Sequence, residues 1–198
     1  MKLPEHANAL VIVAHPDDET IWMGGFILAH PNWKWHIICL SRDTDSDRAP
    51  KFRKVCKELG AQGSIHGFKD DDPLDEVQDI GKLADGIARI VGDESFDFVF
   101  FHNKNGEYGH IRHRETHAAV MRLLDDNRLR VRHAYCFAVK RDQSRAFAVP
   151  MARGALELRL SPRLLEQKRF LIHSVYGFGM DGFEMRCANA VERFRRIR

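Results

Sequence analysis

The chain has 198 residues, 44% hydrophobic and 30% charged, which is the make-up of one soluble globular domain spanning 1–198. A domain of that size buries about 70% of its unfolded surface and needs no disulfide staples. A net charge of +3 is too small to imply nucleic acid or a membrane surface as partner. The terminal Arg193-Phe194-Arg195-Arg196-Ile197-Arg198 supplies much of that charge and reads as a solvated tail. Cys39, Cys56, Cys136 and Cys187 form no CxxC pair, and Cys39 and Cys136 lie in apolar runs, so free buried thiols in a reducing compartment are expected. The N-terminus lacks the apolar region of a signal peptide, and no apolar run is long enough to span a bilayer. A cytoplasmic protein with no membrane span is expected; a homo-oligomer is left open.

The first element is the run Ala9-Leu10-Val11-Ile12-Val13, which reads as a strand buried on both faces. Pro16 ends it, and His15, Asp17, Asp18 and Glu19 follow at what must be the carboxyl edge of a sheet, where open α/β folds keep their sites. His15 and Asp18 are three apart across a strand-to-helix turn and can face one point, as two protein ligands of a catalytic zinc. Asp17 projects differently, which leaves its carboxylate free for proton transfer. The competing reading makes Asp17 a helix N-cap, with Asp18 and Glu19 complementing the helix dipole. Residues 20–29 have helical spacing, and Gly24-Gly25 within them would let that helix pack close to the sheet.

Residues 35–40 read as a second strand and 41–48 as the polar loop after it, with Asp43-Thr44-Asp45 similar to the DxD of metal-dependent glycosyltransferases. A helix over 50–59 ends at Gly60. A strand over 64–68, a helix over 75–91 and a strand over 96–101 follow. Strands alternating with helices predict a single-domain, Rossmann-like, doubly wound, mostly parallel sheet with helices on both faces.

The loop after the fourth strand is the second centre of chemistry. Four of the chain's 11 histidines, His102, His110, His113 and His117, fall there around the tight turn made by Gly106 and Gly109. A helix over 113–124 sets His113 near its start. His113 and His117 share a helix face, but the register lacks the glutamate of an HExxH site. His113 is therefore the expected ligand, and His117 an outer or surface residue. Strands over 133–139 and 155–160 follow, the latter antiparallel at the sheet edge, then a helix from Ser161-Pro162 to about His173. The stretch from Tyr176 onward resists assignment.

With both centres in hand, the chain resembles the PIG-L (LmbE-like) family of zinc-dependent N-acetylglucosamine deacetylases. The family's AHPDDE stands as Ala14 to Glu19, followed by Gly24-Gly25, and its Gly-x-x-Gly-His-x-x-His turn as Gly106 to His113. Weaker echoes are the K…H-S segment at Lys168 to Ser174 and the E-x-F at Glu192 to Phe194. The resemblance implies zinc (or another divalent ion) on His15, Asp18 and His113, and Asp17 as general base. By the same resemblance His110 acts on the tetrahedral intermediate and Tyr108 helps hold the oxyanion. Arg48 and Asp70 lie where sugar-binding residues occur, with Arg42, Arg53 or Asp71 as alternatives for those places. Two departures stand out: Ile111-Arg112 occupies a place where the family often has Pro-Asp, so a carboxylate near His113 is not assured, and the C-terminal part is short for the family.

The implied reaction is hydrolysis of the acetamide of a small N-acetylated sugar conjugate, with the leaving amine protonated by Asp17 or His110. Alternatives are a zinc hydrolase of the same fold acting on a non-sugar amide or carbamoyl group, a glycosyltransferase using Asp43-Thr44-Asp45, and a non-catalytic binding module. A spare carboxylate at Asp17 argues against the last.

Overall fold

The computed structural model describes residues 3–70, 79–144 and 147–198. The first strand, β1 (Asn8–Val13), is followed by α1 (Asp18–Ala29), β2 (Lys34–Cys39), α2 (Arg48–Glu58) and β3 (Gln62–Ile65). Next come α3 (Ile80–Val91), β4 (Ser95–Phe101), α4 (Ile111–Asp125) and β5 (Arg130–Phe137). A two-stranded ribbon of β6 (Val139–Arg141) and β7 (Ala148–Pro150) precedes β8 (Leu156–Arg159) and α5 (Pro162–Phe170). The chain continues through a π-helical turn (Leu171–Val175) to α6 (Phe183–Cys187) and β9 (Val191–Arg196).

The main sheet has seven strands in the order β3-β2-β1-β4-β5-β9-β8. The first five in that order run parallel; at one edge β9 pairs antiparallel with β5, and β8 pairs antiparallel with β9. Side chains of β1 alternate between two cores. Val11 and Val13 join Phe26, Trp35, Phe100 and Phe194 on one face, and Leu10 and Ile12 join Leu83, Ile87 and Leu123 on the other. Helices cover both faces, as expected of a doubly wound sheet. Chain order reverses between β1 and β4, so the crevice at their carboxyl ends is the topological switch point where such folds bind ligands. Both motifs leave the sheet there.

Several boundaries differ from the sequence expectation. The third strand covers Gln62–Ile65 rather than 64–68; His66 and Phe68 still donate backbone N–H groups to Cys39 and Leu40, but beyond the regular ladder. α2 starts at Arg48, and α4 at Ile111, two residues before His113. The helix expected over 75–91 is observed from Ile80, capped by the Asp79 carboxylate on Gly81 and Lys82, and positions 75–78 lie outside the described residues. The largest correction concerns the arginine-rich end: it is β9, an inner strand between β5 and β8, with Glu192 and Phe194 buried. Its period-2 burial is real, but one inward side chain is a carboxylate, which hides the pattern.

That carboxylate explains the two weaker sequence echoes. Lys168 Nζ donates to Glu192 Oε1 at 2.8 Å, with both residues buried. Glu192 also accepts the backbone N–H groups of Gly25 (3.0 Å) and Phe26 (2.6 Å), tying the far end of the chain to the middle of α1. Of the two glycines, only Gly25 is sterically required. A Cβ there would lie 2.4 Å from Leu160, whereas at Gly24 its nearest neighbour is Thr20 at 3.2 Å. All four cysteines are free and buried. Among the described residues no helix is long and apolar enough to cross a membrane.

Gly25→Ala is expected to destabilise the chain by about 1–3 kcal/mol through overpacking. Gly24→Ala is expected to stay within about 1 kcal/mol of the parent, since helix propensity offsets the tight contact. Lys168→Met strands a buried carboxylate and is expected to cost about 3–5 kcal/mol. Urea midpoints at constant m check all three.

Candidate metal centre

At the end of β1 the backbone turns sharply. Asp17 sits at φ +121°, a conformation that strains any non-glycine residue. Two contacts hold it. Its N–H donates to Glu19 Oε2 at 3.1 Å, and its carboxylate accepts from Arg48 Nη1 at 3.0 Å. The Asp17 side chain makes no capping hydrogen bond, so it precedes α1 without serving as the cap. Burial, reinforced by the charge of Asp18, pushes its carboxyl well above the usual range, and Arg48 opposes this. Glu19 is fully buried and accepts hydroxyls from Thr20 (2.6 Å) and Tyr176 (2.8 Å), so it anchors the turn to the C-terminal region. Asp18 faces inward: its Oδ2 accepts the His15 N–H at 2.9 Å, and its Oδ1 accepts Trp22 Nε1 at 2.8 Å.

The second motif leaves β4 and turns through Gly106 (φ +66°) and Gly109 (φ +109°). His110 is the N-cap of α4; its Nδ1 accepts the Arg112 N–H at 3.2 Å, which leaves its proton on Nε2. Burial, then the neighbouring His113 and His15, pushes His110 down to about 3, so the ring is neutral at ordinary pH. His113 follows on the first turn of α4 and is fully buried. His117, one turn on, donates from Nδ1 to the His102 carbonyl at 2.8 Å and is not in the cluster.

The two motifs meet. His113 Nε2 lies 3.3 Å from His15 Nδ1 and 3.3 Å from Asp18 Oδ1, and His15 Nδ1 lies 3.3 Å from Asp18 Oδ2. Donors held tetrahedrally at 2.0–2.1 Å from a zinc ion stand about 3.3 Å apart, and each imidazole nitrogen stands at that distance from the other and from one oxygen of Asp18, His15 from Oδ2 and His113 from Oδ1. The outer nitrogens point the same way. His15 Nε2 lies 3.0 Å from Asp70 Oδ1 and His113 Nδ1 lies 2.6 Å from Glu107 Oε2. A proton on each outer nitrogen leaves the inner lone pairs facing one point, the arrangement that metal-ligating histidines adopt. In their protonated forms His113 and His102 outweigh burial and hold Asp18 well below the usual carboxylate range, so Asp18 is the anion of the group.

Metal-type donors also group as His15, His110 and His113, and as Asp18, His102 and His113, each within 4.8 Å. In both wider groups the extra histidine is already engaged. His110 Nδ1 caps α4, and His102 Nε2 accepts the Ala14 N–H at 3.0 Å.

Beside this cluster is a cavity of about 130 Å³, walled in part by Asp17, Trp22, Arg42, Tyr108, His110 and Phe183. The Tyr108 ring centre lies 5.8 Å from that of His110 and 5.5 Å from that of His113. Arg48 lines the cavity and stacks on Phe178 at 4.4 Å. Asp70 contacts His15 with one oxygen, and its other oxygen accepts from Arg42 Nε at 2.7 Å. All eight residues singled out from the sequence are therefore gathered at one place. Of the alternatives, Arg42 belongs to the site, Arg53 is exposed on α2, and Asp71 lies outside the described residues. In the Asp43-Thr44-Asp45 loop, Asp45 Oδ1 accepts the N–H groups of Asp47 and Arg48 ahead of α2, a structural use of that carboxylate.

Sequence reasoning missed the far wall. Tyr176, Phe178, Phe183 and Glu184 come from the stretch it could not assign. It gave no role to His102, one of the four histidines of that loop, and passed over Glu107; both are buried behind His113. The K…H-S and E-x-F echoes contain Lys168 and Glu192, the pair that brings the C-terminal part back to α1.

Residues 10–124 match the PIG-L family, described as GlcNAc-PI de-N-acetylase. Uncharacterized protein L374 of Acanthamoeba polyphaga mimivirus is 25% identical over 136 residues, covering 61% of this chain and 57% of that protein, so the match spans little more than half of the relative's length. GalB, the 4-carboxy-2-hydroxymuconate hydratase of Pseudomonas putida KT2440, has a TM-score of 0.67 at 16% identity, covering 96% of this chain and 95% of its own. Dbv21, the A40926 pseudoaglycone deacetylase, has a TM-score of 0.65 at 14% identity, covering 88% and 84%. At such identities these two structures share the fold. The family match covers more than half of the chain and includes both motifs that build the cluster; the chain belongs to the PIG-L family.

Proposed function

We propose that the chain is a zinc-dependent N-deacetylase, working as a single domain in the cytoplasm on an N-acetylglucosamine-type sugar conjugate. The observation that carries this reading is the mutual 3.3 Å spacing of His15, Asp18 and His113, with the raised carboxyl of Asp17 beside them. Family membership and the deacetylase activity named for Dbv21 support it.

His15, Asp18 and His113 would hold the ion. When bound, zinc lowers the pKa of a water toward about 7 and polarises the amide carbonyl. Asp17 takes the proton of the water that adds to the carbonyl carbon. Its elevated pKa makes it a stronger base than an exposed aspartate, and Arg48 keeps the carboxylate in place. His110, neutral with its proton on Nε2, and the Tyr108 hydroxyl donate to the developing oxyanion. The C–N bond then breaks, and Asp17 returns the proton to the leaving amine, giving acetate and a free amine. His110 is a hydrogen-bond donor with no second proton to give, which favours Asp17 for that last transfer. Arg48 stands at the cavity wall to meet substrate. Both oxygens of Asp70 are engaged, so its part in binding runs through Arg42.

Asp17→Asn is expected to lower acetate release from N-acetylated glycosides by at least about 100-fold while one zinc per chain is retained; an active variant removes the base assignment. His113→Ala is expected to lose the zinc and His117→Ala to keep it, read by elemental analysis of the purified chains. If no N-acetyl sugar in the panel releases acetate although zinc is bound, the reading moves to a non-sugar amide or carbamoyl substrate.

A further inference from the structure

Metal-ligating histidines normally donate their outer ring N–H to a carboxylate or carbonyl. The chain places Ile111-Arg112 between its two turn histidines, so the residue before His113 is a cation. Arg112 turns away, with its Nη1 3.0 and 2.8 Å from the two oxygens of Glu115 and its Nε 3.9 Å from Asp70. The carboxylate that faces His113 comes from elsewhere. It is Glu107, six residues back in the turn and 1% exposed.

Glu107 is built into place from every side. Its Oε2 lies 2.6 Å from His113 Nδ1 and 2.8 Å from His102 Nδ1, and its Oε1 accepts the Asn103 N–H at 2.8 Å. The His102 and His113 rings stack at 3.8 Å, so both Nδ1 atoms present to the same oxygen. The tautomer of His102 is set independently. Its Nε2 accepts the Ala14 N–H at 3.0 Å, which puts its proton on Nδ1, aimed at Glu107. Asn103, whose side chain donates to the carbonyls of Phe137 and Val139, fixes the backbone from which Glu107 is held. To reach this place Glu107 adopts φ +57°, a left-handed conformation that strains a side-chain-bearing residue. A strained backbone with both carboxylate oxygens engaged marks a position kept for its side chain.

We propose that Glu107 is the positioning residue of the metal centre, a carboxylate in the turn that holds His113 as its Nδ1–H tautomer with Nε2 open to the ion, and that His102 braces it against the end of β1. This rests on the zinc reading above. His102 thereby ties Ala14, the residue before His15, to the support of His113, so one hydrogen-bonded chain orients ligands from both motifs.

The test uses two variants and one wild-type measurement. Glu107→Gln keeps the shape of the side chain, and Glu107→Gly relieves the left-handed strain while deleting the carboxylate. Zinc affinity by competition with a chelator is expected to fall about 10- to 100-fold in each. Affinities within about twofold of the parent in folded variants overturn the proposal. Ring-nitrogen NMR of the wild-type chain, which needs no variant to fold, is expected to show His102 and His113 each protonated on Nδ1, with or without zinc. A His113 ring carrying its proton on Nε2 alone in the metal-free chain overturns the proposal. Whether the wild-type chain binds zinc at all judges the metal assignment separately, so the two failures are distinguishable.

Discussion

The structure depends on one crowding of donors. His15 and His113, 98 residues apart in sequence, bring an imidazole nitrogen each to within 3.3 Å of the other and of the Asp18 carboxylate. Burying polar groups this close together is costly unless each finds a partner or a shared ion. The surrounding chain is arranged to meet that cost. β1 and β4 are neighbours at the switch point of the sheet, so their carboxyl ends deliver the two motifs to one crevice. Their side chains need only a short turn to meet.

Around the donors stands a ring of carboxylates, each with a separate task. Asp70 engages the outer nitrogen of His15 and Glu107 that of His113, so both lone pairs converge. Glu107 stays ionised because His102 and His113 outweigh its burial and hold it down at about 2. Asp17 is set apart: burial and the charge of Asp18 move it in the opposite direction, so two adjacent carboxyls differ in their hold on a proton. Glu19 acts on the backbone instead, holding the strained Asp17 N–H with one oxygen and the Tyr176 hydroxyl with the other. The C-terminal part of the chain thus reaches the site twice, through Tyr176 on Glu19 and through Glu192 on α1.

Much of this was legible before any coordinates. The uninterrupted apolar run of β1, the ligand-type residues after it and the glycine-framed histidine turn are local signals, and they located the sheet, its carboxyl edge and the cluster. What stayed hidden depends on contacts between distant residues. Glu107 looks like any loop glutamate until its positive φ and the stacked His102 ring show where its carboxylate points. Tyr176 and Glu19 are 157 residues apart, and nothing local pairs them. β9 escaped because its inward positions include Glu192, whose partner Lys168 sits on another helix, so a buried strand has the composition of a solvated tail. Asp70 is a similar case: its place near the site was readable, but its engagement by His15 and Arg42 was not.

X-ray absorption spectroscopy of the zinc-loaded chain tests the central claim most directly, because multiple scattering counts the imidazoles bound to the metal. The account predicts two histidine nitrogens with the remaining donors oxygen, all at about 2.0–2.2 Å. Three imidazoles, a single imidazole or a sulfur donor would contradict it.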